Sequence, residues 1–244
     1  MVKSQNVIIL HGWGSNPDRW GLIRDQLQSS LGKIIDTKFY VPYLPGFDPD
    51  NPISKPYTIK DYGSWLDQYI KKNKIDKPAV VGHSNGGRIA IFFSSRHPEK
   101  ISKLILIDSA GIPNKNHLKI AVFYIFAKIG KKTLALFGKK TEKLWQNIFY
   151  RIARESDYLK ASPVMKKTMQ NLLQYNAEND LKNIISPTLI IWGKKDTTTP
   201  IWMGQKMTKL IPKANLNIIS CGHNPHIEAP FEIAKIIRSF LNNK

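Results

Sequence analysis

The sequence predicts an α/β fold: a mainly parallel sheet of about six strands, helices on both faces, and an inserted helical cap. Three observations predict it. Six short runs are apolar almost throughout, helical patterns alternate with them, and one long stretch, 113–182, has helical character and no strand-like run. Strands that are apolar on both sides must be covered on both faces, which is the arrangement of a parallel sheet between two helical layers.

The strands are taken in chain order. NVIILHG is a buried strand that stops at His11 and Gly12, TKFYVPYLPG is the second, and KPAVVGHS the third. KLILIDSAG, PTLIIWGKKD and ANLNIIS are the fourth, fifth and sixth. Between them the apolar spacing predicts helices over 19–30, 59–73, 85–96, 202–210 and 231–241. The stretch 113–182 enters after the fourth strand and leaves before the fifth, so it is expected to lie as a cap over the carboxyl edge of the sheet. The core is then 1–112 and 183–244. Within the cap stretch, Phe123, Tyr124, Phe126, Phe137, Trp145, Phe149 and Tyr150 need burial, and some of them are expected to line an apolar acyl pocket.

VVGHSNGGRIA, Val80 to Ala90, holds the most informative pentapeptide. Gly82-His83-Ser84-Asn85-Gly86 has the form G-x-S-x-G between a strand and a helix, the turn that lifts a serine hydroxyl clear of a sheet. Side chains two positions either side of the serine would collide in so tight a turn, and glycine removes them. The helix beginning at Asn85 aims its positive end at any oxyanion forming beside Ser84. A serine hydroxyl needs a base, and the base an orienting acid. Both are expected on the same sheet edge: Asp196 just past the fifth strand and His223 just past the sixth. The chain order Ser84, Asp196, His223 is the one this kind of turn predicts. Backbone amides of Trp13, in the His11-Gly12-Trp13-Gly14 turn, and of Asn85 are the candidate oxyanion donors.

HGWGSN, LPGF, VVGHSNGG, LILIDSAG, PTLIIWGKKDTTTP and CGHNPHIEAPFEIAKIIRSFL occur in that order, and through them the chain resembles the α/β-hydrolase superfamily over essentially its whole length. The resemblance implies a serine hydrolase without cofactor or metal, with Ser84 as nucleophile, Asp196 as acid and His223 as base. A serine at position 84 argues against the dehalogenase and epoxide-hydrolase branches, which use a carboxylate nucleophile. Some members carry the acid after the fourth of these strands, which makes Asp108 the competing acid. Members commonly place the base directly after a glycine, which favours His223 over His226. Trp13, His83 and His226 are the candidate substrate-pocket residues, with His83 also expected to pack against a backbone partner. Many members begin with an additional antiparallel strand pair, whereas here the HG-containing strand starts close to Met1, so six strands are expected.

Composition narrows the partners. The net charge is +19, yet lysine heavily outnumbers arginine, the lysines are scattered in ones and twos, and no nucleic-acid-binding motif is present. Neither specific nucleic-acid binding nor membrane contact is expected. The single cysteine, Cys221, excludes an internal disulfide framework and a cysteine zinc cluster. With no apolar run long enough for a span or a signal core, a soluble cytoplasmic monomer or homodimer is expected. The expected activity is hydrolysis of carboxylic esters or lactones with small to medium apolar acyl groups, through an acyl-enzyme on Ser84. Two alternatives stand beside it: hydrolysis of a carbon–carbon bond next to a ketone, as in ring-cleavage-product hydrolases, and a small-molecule receptor on the same fold.

Overall fold

Along β1 (Ser4–Leu10) the side chains divide between two cores: Ile8 and Leu10 join one, Val7 and Ile9 the other. The period of two in an extended chain requires this division, and it explains why the strand is apolar at every position from Val7 to Leu10 rather than at alternate ones. The computed structural model describes residues 4–31, 36–113 and 161–242. The aromatic residues named above for the cap lie outside these described residues.

Six strands pair in the order β2-β1-β3-β4-β5-β6, every pair parallel. Besides β1 they are β2 (Asp36–Tyr40), β3 (Ala79–His83), β4 (Lys103–Ile107), β5 (Thr188–Gly193) and β6 (Ala214–Ile219). All six expected runs are therefore strands. The central strands β3 and β5 are buried at every residue. β6 departs from the expected continuous burial: it pairs only with β5, and Asn215, Asn217 and Ile218 are exposed. An edge strand covered on one face buries alternate residues only.

One core packs α2 (Ile59–Lys72), α3 (Asn85–Arg96) and α6 (Trp202–Leu210) onto the sheet through Leu66, Phe93 and Met207. The other packs α1 (Gly21–Leu31) and α8 (Pro230–Asn242) through Ile23, Leu27, Ile233 and Ile237. Each such fully buried aliphatic side chain contributes about 1.5–3 kcal/mol. α2 starts where its cap dictates: Thr58 accepts from the Asp61 amide, and Asp61 accepts from the Thr58 amide at 2.7 Å. A helical insertion separates β4 from β5. Its described part holds α4 (Pro163–Leu173) and α5 (Glu178–Leu181), and α4 is tied to the loop before α2 by the Tyr57 amide, which donates to Thr168 Oγ1 at 3.0 Å. No helix among the described residues is long and apolar enough to cross a membrane.

The topology places the site. From β1 the chain moves to one side of the sheet to make β2, then crosses back past β1 to make β3. Loops leaving β1 and β3 therefore diverge, opening a crevice at the carboxyl ends of the strands. Ladder pairs Leu10 with Gly82, His83 with Ile107 and Gly193 with Ile219 bring the ends of β1, β3, β4, β5 and β6 to one edge.

Candidate active site

β3 ends at His83 and α3 begins at Asn85, so the reversal falls on Ser84 alone. Its backbone sits at φ 50° and ψ −115°, a conformation L residues rarely adopt. Two contacts hold it there: the Ser84 amide donates to the Ile107 carbonyl at 3.1 Å, and the Ser84 carbonyl accepts from the Ala110 amide at 2.9 Å. The collision inferred from the sequence is present in the geometry. A Cβ on Gly82 would lie 2.6 Å from the Gly87 Cα, and one on Gly86 would lie 2.1 Å from the Leu10 carbonyl oxygen.

His223, in the loop after β6, reaches both partners. Its Nε2 is 3.1 Å from Ser84 Oγ and its Nδ1 is 2.8 Å from Asp196 Oδ2. With Asp196 ionised, Nδ1 carries the proton and donates it, leaving Nε2 free to accept from the serine hydroxyl. Asp196 is built to stay ionised. The Thr198 and Thr199 amides donate to its Oδ1 at 2.7 and 3.0 Å, and the Thr199 hydroxyl lies 2.7 Å from its Oδ2. Burial pushes this carboxyl up, but the hydrogen bond and charge of His223, with the Thr199 bonds, outweigh it and hold the group below the ordinary carboxylate range. The structure thus brings Ser84, Asp196 and His223 together as one hydrogen-bonded chain.

The loop after β1 lies against the nucleophile, since a Cβ on Gly12 would be 3.4 Å from Ser84 Cβ. Half-buried Trp13, next in that loop, packs edge-on against Phe47 at 4.9 Å. Of the pocket candidates, His83 and His226 are placed differently from the expectation. They are only 3% and 2% exposed, His226 stacks on Trp20 at 4.4 Å, and His83 lies 4.5 Å from His226. Their faces are covered by neighbouring rings, and His83 packs against the His223 ring at 5.1 Å. His83 Nε2 donates to the His223 carbonyl at 2.8 Å, the backbone partner expected of it. A cavity of about 370 Å³ opens beside the loop after β2, lined by Tyr43, Leu44, Pro45, Ile53, Tyr57 and Trp65; Trp13, His83, Ser84 and His226 are not on its wall.

Two supports escaped the sequence reading, and a third falls to Asp108, which the sequence offered as the competing acid. His11 Nε2 accepts from the Leu44 amide at 3.0 Å and its Nδ1 is 2.8 Å from the Gly12 carbonyl, tying the loop after β1 to the loop after β2. Glu228 accepts from the Gly222 amide at 2.7 Å and the Asn224 amide at 3.3 Å, clasping the residues either side of His223. Asp108, 0% exposed at the end of β4, accepts from the Gly193 amide at 2.8 Å. The Leu44 amide that reaches His11 and the Gly193 amide that reaches Asp108 come from distant loops and strands, whereas Glu228 clasps residues four and six positions before it. Asp108, Asp196 and His223 form the one group of three potential metal ligands among the described residues, their donor atoms within 4.8 Å of one another. His223 Nδ1 is already engaged by Asp196, so the group is described by the triad and its neighbour.

A model of the alpha/beta hydrolase fold family matches residues 5–230. This chain belongs to the alpha/beta hydrolase family. The match supports the expectation drawn from the ordered motifs and from the strand order, and the site is of the serine-hydrolase type. Within the family, the chain is 30% identical over 261 residues to the biotin biosynthesis bifunctional protein BioHC of Teredinibacter turnerae, covering 98% of this chain and 45% of that protein. The chain therefore spans about half the length of that relative. It is 30% identical over 263 residues to a pimeloyl-[acyl-carrier protein] methyl ester esterase of Wigglesworthia glossinidia brevipalpis, covering 98% and 94% of the two chains. It is 29% identical over 254 residues to the 2-hydroxy-6-oxo-6-(2'-aminophenyl)hexa-2,4-dienoic acid hydrolase of Metapseudomonas resinovorans, covering 99% and 86%. Among solved structures, an esterase from Exiguobacterium antarcticum superposes with a TM-score of 0.75 at 18% identity, covering 100% and 94%, a likeness of fold.

The buried imidazoles of this alpha/beta hydrolase carry a pH prediction. Burial lowers His11 to about 4 and His226 to about 3, and holds His83 well below its ordinary value. The unfolded chain binds protons on all three near pH 6.5 and the folded chain does not, so stability falls as pH drops from about 6.5 towards 4. Each group contributes up to about 1.4 kcal/mol per pH unit in that window. Urea midpoints measured at half-unit steps are expected to fall from pH 6.5 to pH 5, and His226→Phe, which keeps the stack on Trp20, to flatten the slope. An unchanged slope in that variant would show that His226 titrates alike in both states.

Proposed function

We propose that this chain is an enzyme that hydrolyses a small-molecule substrate at a carbonyl carbon, with Ser84 as nucleophile, His223 as base and Asp196 as acid. The observation that carries the reading is the unbroken relay from Ser84 Oγ through His223 to Asp196, with links of 3.1 and 2.8 Å. Ser84 attacks the carbonyl and His223 accepts its proton. The imidazolium so formed is stabilised by Asp196 and protonates the leaving group, after which His223 activates a water that releases the acyl group from Ser84. The Asn85 and Trp13 amides are the proposed oxyanion donors. Supporting this, α3 starts at Asn85 and the loop carrying Trp13 lies against Ser84. Residues 113–182 are the proposed cap unit, and Trp13 the proposed pocket wall.

The leading substrate class is a ring-cleavage-type diketone, whose carbon–carbon bond next to the ketone is broken so that the acyl fragment becomes an acid and the other fragment leaves with a proton. Relatives named as hydrolases of such 2-hydroxy-6-oxo compounds recur in several organisms and align with 98% or more of this chain. The chemistry requires the departing carbon to be stabilised by conjugation with its own carbonyl, which those compounds provide. A second reading, the carboxylic ester expected from the sequence, is favoured by the methyl ester esterase relative at 30% identity. A panel of a 2-hydroxy-6-oxo-dienoate, p-nitrophenyl esters of increasing acyl length and simple lactones decides between them by kcat/KM. Preference for the dienoate by about a hundredfold or more supports carbon–carbon hydrolysis. Inert dienoate with ester turnover transfers the assignment to the ester reading. Tight binding of a panel member without turnover would make the chain a receptor and sink both.

A further inference from the structure

Asp108 is a fully buried carboxyl that the proposed chemistry does not use. It leaves β4 with φ 40° and is fixed along its backbone, its amide donating to the Ile191 carbonyl at 3.0 Å and its carbonyl lying 3.1 Å from the Thr199 hydroxyl. Oδ1 accepts from the Gly193 amide, whereas Oδ2, equally buried, meets no donor. The titratable groups around it come from each neighbouring element: Asp196 after β5, Cys221 and His223 after β6, and Glu228 in α7 (Pro225–Glu228). Two of these are carboxyls, one is a thiol, and the imidazole is engaged by Asp196. Among the described residues no lysine or arginine forms an ion pair with Asp108.

Two carboxyls this close in a buried site do not both ionise. Donor supply decides which keeps its proton. Asp196 is served by two amides, the Thr199 hydroxyl and His223 Nδ1, while Asp108 has the single Gly193 amide. We propose that Asp108 is a positioning residue that stays protonated at neutral pH and donates a hydrogen bond from Oδ2 to Asp196, so that the site holds one negative charge, directed at His223. A protonated Oδ2 is a donor, which removes the orphaned oxygen, and the acceptor is the Asp196 carboxylate beside it, one oxygen of which lies within 4.8 Å of an Asp108 oxygen. Burial, then the charge of Asp196, push Asp108 up to about 9, in the same direction.

The proposal rests on the reading of Ser84, His223 and Asp196 as the reacting groups, and its test has arms that do not need activity. Carbon-13 aspartate spectra of the whole chain at pH 7 are expected to show one carboxyl carbon in the protonated position, absent in Asp108→Asn. Asparagine keeps both an acceptor for Gly193 and a donor for Asp196. The folded chain binds a proton at Asp108 that the unfolded chain releases above its ordinary value, so wild-type stability declines relative to Asp108→Asn as pH rises from 5 to 8, by about tenfold in the unfolding equilibrium per pH unit. In kcat/KM profiles on whichever substrate the panel identifies, Asp108→Asn should leave the acidic limb in place and Asp108→Ala, which removes the donor, should move it upward. An ionised Asp108 predicts the opposite: removing its charge in Asp108→Asn would move the limb downward, the stability difference would not change with pH, and no protonated carboxyl would be seen. Any of these would overturn the proposal. If Asp108→Asn does not fold, the wild-type spectrum alone decides. A chain without hydrolytic activity would fail the functional reading while leaving the spectral and stability arms intact.

Discussion

Replacing Ser84 with alanine is expected to lower kcat/KM by three or more orders of magnitude on any substrate the wild-type enzyme turns over, with the urea midpoint almost unchanged. The activity loss follows from removing the atom to which the acyl group attaches; what remains is the rate supported by oxyanion donors and binding alone. Stability barely moves because Ser84 is half-buried, makes no side-chain cap bond to α3, and keeps its strained backbone as alanine. Ser84→Gly separates the two effects: activity is equally lost, but relief of φ 50° is expected to raise stability by about 1 kcal/mol. His223→Ala combined with Ser84→Ala should be no slower than either alone, as befits groups acting as one unit. Labelling by a fluorophosphonate probe should disappear with Ser84→Ala. Persistence of labelling or rate would mean that another residue is the nucleophile.

Gly86→Ala is expected to have the largest effect on stability of any glycine-to-alanine change among the described residues. The new Cβ would stand 2.1 Å from the Leu10 carbonyl oxygen and 2.6 Å from that of His11. Both are backbone atoms at the end of the central strand β1, so neither can turn aside as a side chain would. Either α3 lifts from the sheet or β1 moves, and both disturb the core in which Leu10, Val80 and Phe93 are fully buried. A loss of roughly 3–5 kcal/mol is expected, at the upper end of overpacking substitutions. Gly21→Ala is the control: nothing lies within 4 Å of its added Cβ, and Gly21 opens α1 at φ −53°. There alanine is expected to be neutral or to stabilise by up to about 1 kcal/mol. Urea midpoints of the two variants should therefore shift in different directions, and equal small shifts would show that β1 and α3 are not in the close contact described.

Much of this architecture is legible in the sequence because its signals are local. Each strand of a covered parallel sheet must be apolar on both faces, so all six could be read from runs of five to seven residues, and helices 85–96 and 202–210 were expected with the bounds they have. Ser84, Asp196 and His223 were legible for a related reason: each stands just beyond a recognisable strand, and a parallel sheet delivers all such positions to one edge. β6 was misjudged in its burial because being an edge strand is a property of the whole sheet.

The sequence by itself determined the order of strands and helices, the turn that forces glycine around Ser84, and the residue types that meet at the rim. Only the tertiary structure decided how those residues are supported: His226 stacked on Trp20 with His83 tilted against it, Glu228 clasping the loop of the base, His11 joining two loops, and Asp108 set beside Asp196. The reason is physical. Turn sterics and apolar periodicity act over a few residues, whereas desolvation and the contest of two carboxyls for one proton depend on groups brought together from strand ends 88 positions apart in the chain, Asp108 and Asp196.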